Sequence, residues 1–359
     1  MVTLVSIVRN EAAVIGRCLD SVIGVIDRWV IVDTGSTDGT QAIITAKLAG
    51  LPGELHGREW VDFGTNRTES LRLAGQAEGD YLLILDADET LEGDDARMLD
   101  RTALAGGACS YTLEVRSRDA LAFRSRRLLR ADRGWRYEGA VHAIPVAERE
   151  YSSGAIDGVH VCHRGDGGSH EGRLEWALDV LEQTVMEHPD DTRSRFYLAN
   201  TRRDLGDLDG ALRDYSARVR MSGGFADERF VSLYRAGQIL MSRNLPLAAA
   251  TLLEAVEMRP DRMEPVYALA RGYRMAGLRR AAYVWASYGF GRPRPGGLFV
   301  EPWIYEWGLL FEFSISAWWV GERVLARSLC EDLLDRDDLP DRIVEQVRAN
   351  LALCLPVAA

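Results

Sequence analysis

The chain contains no C-x-x-C pair, no low-complexity tract and no apolar run that reaches the roughly 18 residues of a membrane span. Its five cysteines (Cys18, Cys109, Cys162, Cys330, Cys354) are odd in number and scattered. That pattern argues against a disulfide framework and a zinc site, and suits thiols kept reduced in a cytosol. The sequence begins in a strand-like run, "VTLVSIV", without a basic or long apolar leader, so no signal peptide is expected. A surplus of positive charge is also missing: the formal net charge is −11, which speaks against a general nucleic-acid binder or a membrane-surface protein. A cytoplasmic protein is the expectation.

What is present is ordinary in bulk, with 47% hydrophobic and 27% charged residues in 359, long enough for two or three domains with real cores. One segment departs from the acidic average. Residues 116–136, "RSRDALAFRSRRLLRADRGWR", hold eight arginines against two aspartates, and read as a solvated strand pair and loop or as a basic patch facing a ligand.

The two halves follow different patterns. In residues 1–100, "TLVSIV", "WVIVD" and "YLLILD" are short, continuously apolar and β-branched, as buried parallel strands are. Between them 11–25, 39–50 and 65–78 have helical spacing, the last with Thr65 as its expected cap. Strand alternating with helix predicts an α/β sheet whose ligands sit beyond the carboxyl ends of the strands. From about residue 170 only helical patterns remain. Ala177, Ala211, Ala248 and Ala282 recur at intervals of 211 − 177 = 34, 248 − 211 = 37 and 282 − 248 = 34, each followed four residues later by Leu181, Tyr215, Leu252 or Ala286. A period near 34 of this kind resembles tetratricopeptide repeats, in which alanine lets paired helices approach closely.

"YLLILDADET" (81–90) runs a buried strand into Asp86, Asp88 and Glu89. Like charges crowded at a strand end need a cation, an arginine or bulk water. If the backbone stays extended, Asp86 and Asp88 share one side of it. Paired hard oxygens suit Mg²⁺ or Mn²⁺, which leave positions open for phosphate oxygens. Asp33 closes "WVIVD" at the same expected sheet end, so one crevice should gather all of them.

These pieces stand in the order of a known family. "SIVRNEAAVIGRCLDSV", "WVIVDTGSTDGT", "DFGTNRTESLRLA" and "GDYLLILDADE", followed by "RRLLR", "WRYEGAVH" and "VHVCHRG", resemble a family 2 glycosyltransferase of the GT-A fold with C-terminal tetratricopeptide repeats. The resemblance implies a GT-A catalytic domain at 1–168 and a helical repeat domain at 169–359. It implies an inverting, metal-dependent, hexosyltransferase-like enzyme that moves a sugar from a nucleotide donor, by default a UDP-sugar, with Mn²⁺ or Mg²⁺. Carried over by position, Asp33 meets the nucleobase, while Arg9, Asn10 and Glu11 line the nucleotide pocket, Glu11 serving equally well as a helix cap. Asp86 lies near ribose and metal, Ala87 belongs to the donor site, and Asp88 holds the metal. Arg67 faces nucleotide and sugar. His142 and His163 are candidate metal ligands, and His160 is read as structural.

The sequence departs from the family where relatives often carry His-Glu, since it has His142-Ala143; Glu138 is the nearest substitute base. Its alternative is an ion pair to an arginine of 116–136. The catalytic set is then Glu138, Asp88 and Arg67. Thr68 replaces a common asparagine and leaves the sugar open. A protein or peptide acceptor held by the repeats is expected, with wall polymers, small molecules, modified nucleic acid and a homo-oligomer left open. Two other readings compete: a nucleotidyltransferase, against which "SIVRNEAAVIG" lacks a glycine-rich basic loop, and a binding scaffold with an inactive catalytic domain, which Ala143 would favour.

Overall fold

The strands form where apolar residues face both ways. In β1 (Val2–Val8) Leu4 packs on one face of the sheet and Val5 on the other, and in β2 (Arg28–Asp33) Ile31 and Val30 do the same. The computed structural model describes residues 1–75, 80–93, 107–117, 122–139, 141–167 and 172–354. They fall into two compact units, Met1–Glu187 and His188–Ala359. The boundary expected between residues 168 and 169 lies in 168–171, outside the described residues.

In the first unit an eight-stranded mixed sheet has the order β3-β2-β1-β4-β7-β6-β10-β5. β3 is Gly53–Gly57, β4 Tyr81–Ile84, β5 Glu89–Gly93, β6 Ser110–Ser117, β7 Ala122–Arg130 and β10 Ser153–His163. β3, β2, β1 and β4 run parallel, β7 is antiparallel to β4 and β6, and β5 closes the edge antiparallel to β10. Helices α1 (Ile15–Val22) and α2 (Thr40–Lys47) bury Ile15, Leu19, Val22 and Ile44 on one face. On the other, α3 (Phe63–Ala74) buries Leu71 and Ala74 beside Trp135 of a small hairpin, β8 (Trp135–Glu138) with β9 (Ile144–Ala147). The cap of α3 is Asp62, not Thr65: its carboxylate accepts the Thr65 N–H at 2.7 Å, so the helix starts almost a full turn early. Helix α4 (Arg173–Glu187) also belongs to this unit, and its Trp176 packs edge-on against Trp60 and Phe63 at 6.1 and 6.0 Å.

The second unit is helical throughout its described residues. α5 (Thr192–Asp204), α7 (Ala226–Met241) and α9 (Glu264–Met275) alternate with α6 (Leu208–Arg220), α8 (Leu245–Met258) and α10 (Arg279–Gly289). The expected small residues occupy one recurring place: Ala211, Ala248 and Ala282 are each the fourth residue of their helix and fully buried, and Tyr215, Leu252 and Ala286 follow, equally buried. A further pair obeys the same rule. After a π-helical turn (Ile304–Gly308) come α11 (Leu309–Val320) and α12 (Arg323–Leu334), where Ala326 is again fourth and Cys330 follows. α13 (Asp341–Cys354) ends the described chain. Two ion pairs staple these helices, Arg274 to Glu312 at 2.6 Å and Arg193 to Glu228 at 2.9 Å, and a third, Arg262 to Glu264 at 2.8 Å with both fully buried, sits at the start of α9. Among the described residues no helix is long and apolar enough to cross a membrane.

Candidate functional site

The carboxyl ends of β2, β1 and β4 lie side by side, so Asp33 and the Asp86 turn are separated by one strand, about 10 Å. The loops leaving β1 and β2 lock together. Asn10 takes a left-handed backbone, φ 54°, which asparagine tolerates better than most residues. There its N–H donates to Ser36 Oγ at 2.9 Å while its Oδ1 accepts the Thr37 N–H at 2.8 Å. The N–H groups of Glu11 and Ala12 donate to Thr40 Oγ1 and Asp38 Oδ2. Arg9, at the mouth of this loop, is exposed. Asp33 is buried at the end of β2, and its Oδ1 accepts the N–H groups of Gly35 and Ser36, each at 2.8 Å. Burial pushes its carboxyl up, but the hydrogen bonds from Ser36 and Gly35 outweigh it and hold it below the usual carboxylate range. Its Oδ2 is buried and meets no hydrogen-bond partner. That oxygen is an acceptor awaiting a donor, since a polar atom left so costs free energy.

The acidic triplet behaves differently from the extended-strand expectation. β4 stops at Ile84, and 86–89 form a turn closed by the Glu89 N–H donating to the Asp86 carbonyl at 3.0 Å. Asp86 and Asp88 therefore part company instead of sharing a face. Asp86 accepts both its hydrogen bonds from Arg67 Nη2, at 2.5 and 2.7 Å. The guanidinium of Arg67 lies over the rings of Phe63 and Tyr137, 5.5 and 5.6 Å from their centroids. Glu89 pairs with Arg127 through both carboxylate oxygens, at 2.7 and 2.9 Å, and its Oε2 also accepts the Asp86 N–H. Burial raises the Asp86 carboxyl, yet Arg67 and Arg127 together hold it below its ordinary value; Glu89 goes the other way, pushed up by burial and by Asp86 against the pull of Arg127.

Asp88 is the remaining carboxylate. It is buried, and no described residue hydrogen-bonds to its side chain. His163, the last residue of β10, stands opposite Glu89 in the β5–β10 register, with Nδ1 3.7 Å from Asp88 Oδ1 and from Glu89 Oε1. Glu11 reaches the same place from β1: a side chain at Gly167 would sit 2.9 Å from its Oε2 and 3.3 Å from Asp88 Cβ. Arg17 and Asp166, paired at 2.6 Å, fix the chain after His163 beside α1. An oxygen donor with an imidazole beside it fits a hard divalent cation of the Mn²⁺ or Mg²⁺ type.

The hairpin supplies the other flank. Gly64 of α3 faces Gly139 so closely that an added Cβ would lie 2.5 Å from the Gly139 carbonyl oxygen. Thr68, standing where an asparagine was expected, accepts the Tyr137 N–H at 2.9 Å and donates to the Gly64 carbonyl at 2.7 Å. Its hydroxyl thus anchors the hairpin to α3. β8 ends at Glu138, and His142 lies in the turn with φ 51°, exposed, so the strand that would have put Glu138 and His142 on one face does not extend that far. Glu138 is half exposed and pairs with Arg136 at 2.5 Å. Ala87 is buried in the apolar core under the sheet.

Two residues of this cluster escaped the sequence reading. Arg127 sits inside "RRLLR" and Tyr137 inside "WRYEGAVH", but which arginine points inward depends on the register of β7 against β4 and β6, where a bulge intervenes.

Residues 3–143 match the family model of glycosyl transferase family 2. A TPR repeat-containing protein of Synechococcus elongatus is 31% identical over 232 residues, which cover 59% of this chain and 55% of that protein. The chain thus spans about half the length of the curated relative it matches. Among solved structures, the thermophilic TPR protein TTC0263 of Thermus thermophilus is 17% identical with a TM-score of 0.36, covering 50% of this chain and 92% of that one. S. aureus TarS 1–349 is 13% identical with a TM-score of 0.34, covering 81% and 93%, and in its complex with UDP it is 14% identical with a TM-score of 0.35, covering 77% and 91%. A family 2 glycosyltransferase domain therefore stands at the N-terminus. Helix pairs that each repeat a buried small residue at the fourth place of the second helix follow it.

Proposed function

We propose that the chain is an inverting, metal-dependent glycosyltransferase that uses a nucleotide diphosphate sugar, by default a UDP-sugar. The observation that carries the reading is the division of labour at the strand ends. Asp86 and Glu89 are neutralised by Arg67 and Arg127, while Asp88 faces His163 and Asp33 keeps a buried acceptor without a donor. Asp33 Oδ2 would accept an N–H from the nucleobase, with Asn10 and Glu11 holding the loop that shapes its pocket. Asp88 and His163, with Asp86 nearby, would hold a divalent cation, and such a cation carries the charge of the departing diphosphate. Arg67, seated between Phe63 and Tyr137, aims positive charge along the donor. Glu138, one residue beyond Tyr137, is the carboxylate we assign to the acceptor's proton; His142 is left to the flank of the site.

We assign the acceptor to the class of proteins and peptides, recruited by the helical repeats, whose stacked pairs hold extended chains. The five cysteines are all free thiols, which suits a reducing cytoplasm. The test is a thermal-shift screen of nucleoside diphosphates and sugar nucleotides with and without Mn²⁺. A ligand that binds the folded state raises the melting temperature by mass action. A rise with one nucleotide, larger with Mn²⁺, is expected. A flat response to every nucleoside diphosphate with Mn²⁺ present would sink the proposal.

A further inference from the structure

β10 shows different chemistry on its two faces. Val159, Val161 and His163 alternate with His160 and Cys162, and the first two enter the apolar core. His160 and Cys162 therefore project from the opposite face, away from the one that carries His163. Two strands flank them: in register, His160 stands between Glu92 of the edge strand β5 and Glu114 of β6. One ligand atom each from Glu92, His160 and Cys162 lies within 4.8 Å of the others, and all three side chains are half buried.

We propose that Glu92, His160 and Cys162 form a second cation site, selective for a thiophilic divalent ion such as Zn²⁺. Sulfur, imidazole nitrogen and one carboxylate oxygen form a donor set that Mg²⁺ and Ca²⁺ avoid and Zn²⁺ prefers. Ligand atoms around tetrahedral zinc stand roughly 3.3–3.8 Å apart, given bonds of about 2.0–2.3 Å. The three atoms thus need to close by at most about 1.5 Å, a movement on the scale of rotations about χ1 and χ2. The thiol already hydrogen-bonds to the Glu92 carboxylate, so the ion would take the place of that proton: Cys162–SH loses H⁺ to solvent as the sulfur–metal bond forms.

Two arginines rest on the ligands. Arg116 Nη1 is 3.2 Å from His160 Nε2, and Arg164 Nη2 is 2.9 Å from Glu92 Oε1. Both guanidinium groups are about half exposed, and surface pairs of this kind contribute little, so displacing them costs little. Cysteine spacing gives no signal for such a site, because its ligands are brought together across strands and not by local spacing. A bound ion would clip the sheet's edge strand to β10, one residue from His163.

Co²⁺ reports on such a site directly, through thiolate-to-cobalt charge-transfer absorption and visible tetrahedral bands. The metal-stripped full-length chain should bind one Co²⁺ with that signature, and Zn²⁺ should displace it. Cys162→Ser should abolish the charge-transfer band. Glu92→Gln and His160→Gln, both on the solvent-side face, should weaken Co²⁺ binding about tenfold or more. Asp88→Ala should leave the band intact, which separates this site from the one proposed for the donor. Circular dichroism of each variant establishes that it is folded. A wild-type chain without a thiolate–cobalt band, or a band that survives Cys162→Ser, overturns the proposal.

Discussion

Both units bury acids beside arginines, yet they use the pairing for different ends. In the helical unit Glu264, Glu312 and Glu228 are almost wholly buried, and each meets arginine nitrogen. Two of these pairs, Arg274–Glu312 and Arg193–Glu228, join helices, while Arg262 and Glu264 stand two residues apart at the start of α9. In the sheet unit the acids gather at one end of the strands, and the accounting is incomplete: Asp33 Oδ2 is the one buried carboxylate oxygen without a partner among the described residues, and Asp88 has His163 Nδ1 3.7 Å away. A buried acid–arginine pair is thus no signal of function by itself. An acceptor left open beside satisfied ones is the better sign, because the fold has arranged partners for its neighbours and not for it.

Breaking the contrast at its sharpest point gives the largest effect. Asp88→Ala should abolish sugar transfer and metal-dependent nucleotide binding while leaving the melting temperature unchanged or raised, since it removes charge from a repelling cluster. Transfer at the wild-type rate would end the metal reading. Glu264→Ala should do the reverse. It strands the fully buried Arg262 and should cost about 3–5 kcal/mol in urea unfolding of the helical unit, with nucleotide affinity untouched; loss of nucleotide binding in a folded variant would break the separation of roles.

Glu138→Gln sharpens the comparison within the sheet unit. As a general base its loss should lower kcat by roughly a hundredfold or more with donor binding unchanged. Near-normal turnover would leave Glu138 as the partner of Arg136 and move the base elsewhere, or show that the acceptor's nucleophile arrives ionised. The smallest effect expected is that of Asp33→Ala, a loss of about 1–3 kcal/mol in nucleotide binding. The loss should be equal with and without Mn²⁺, which calorimetric titration with the nucleoside diphosphate measures. A purely metal-dependent loss would contradict a role at the nucleobase.

The sequence disclosed what periodicity and apolar runs encode. The strands around "TLVSIV", "WVIVD" and "YLLILD" and the alanine ladder of the repeats are all found, because burial on both faces and close helix contact leave few residue choices. Polar edges gave no such signal: β3, "GELHG", has a single apolar residue and went unread. The cap of α3 was placed three residues late because Thr65 and Asp62 are both good caps and only the hydrogen bond decides between them. The last helical pair hid behind its spacing, 326 − 282 = 44, since the connection 290–303 breaks the period. Asp33 and His163 close strands, as the sequence led one to expect, while Asp88 sits in the turn after β4. Arg127 was not legible, since its inward aim follows from strand register.

Trp176 has a practical consequence. By repeat spacing it belongs with the helices, since Ala177 beside it opens the series. In space its indole completes a three-ring cluster with Trp60 and Phe63, and Phe63 is one of the two rings on which the Arg67 guanidinium rests. A fragment cut at residue 168 would leave Trp60 and Phe63 without a cover, inviting self-association, and would loosen the seat of an arginine that grips Asp86. Cutting after Glu187 keeps the cluster whole. The place where the sequence changes its pattern and the place where the two compact units divide are therefore one helix apart.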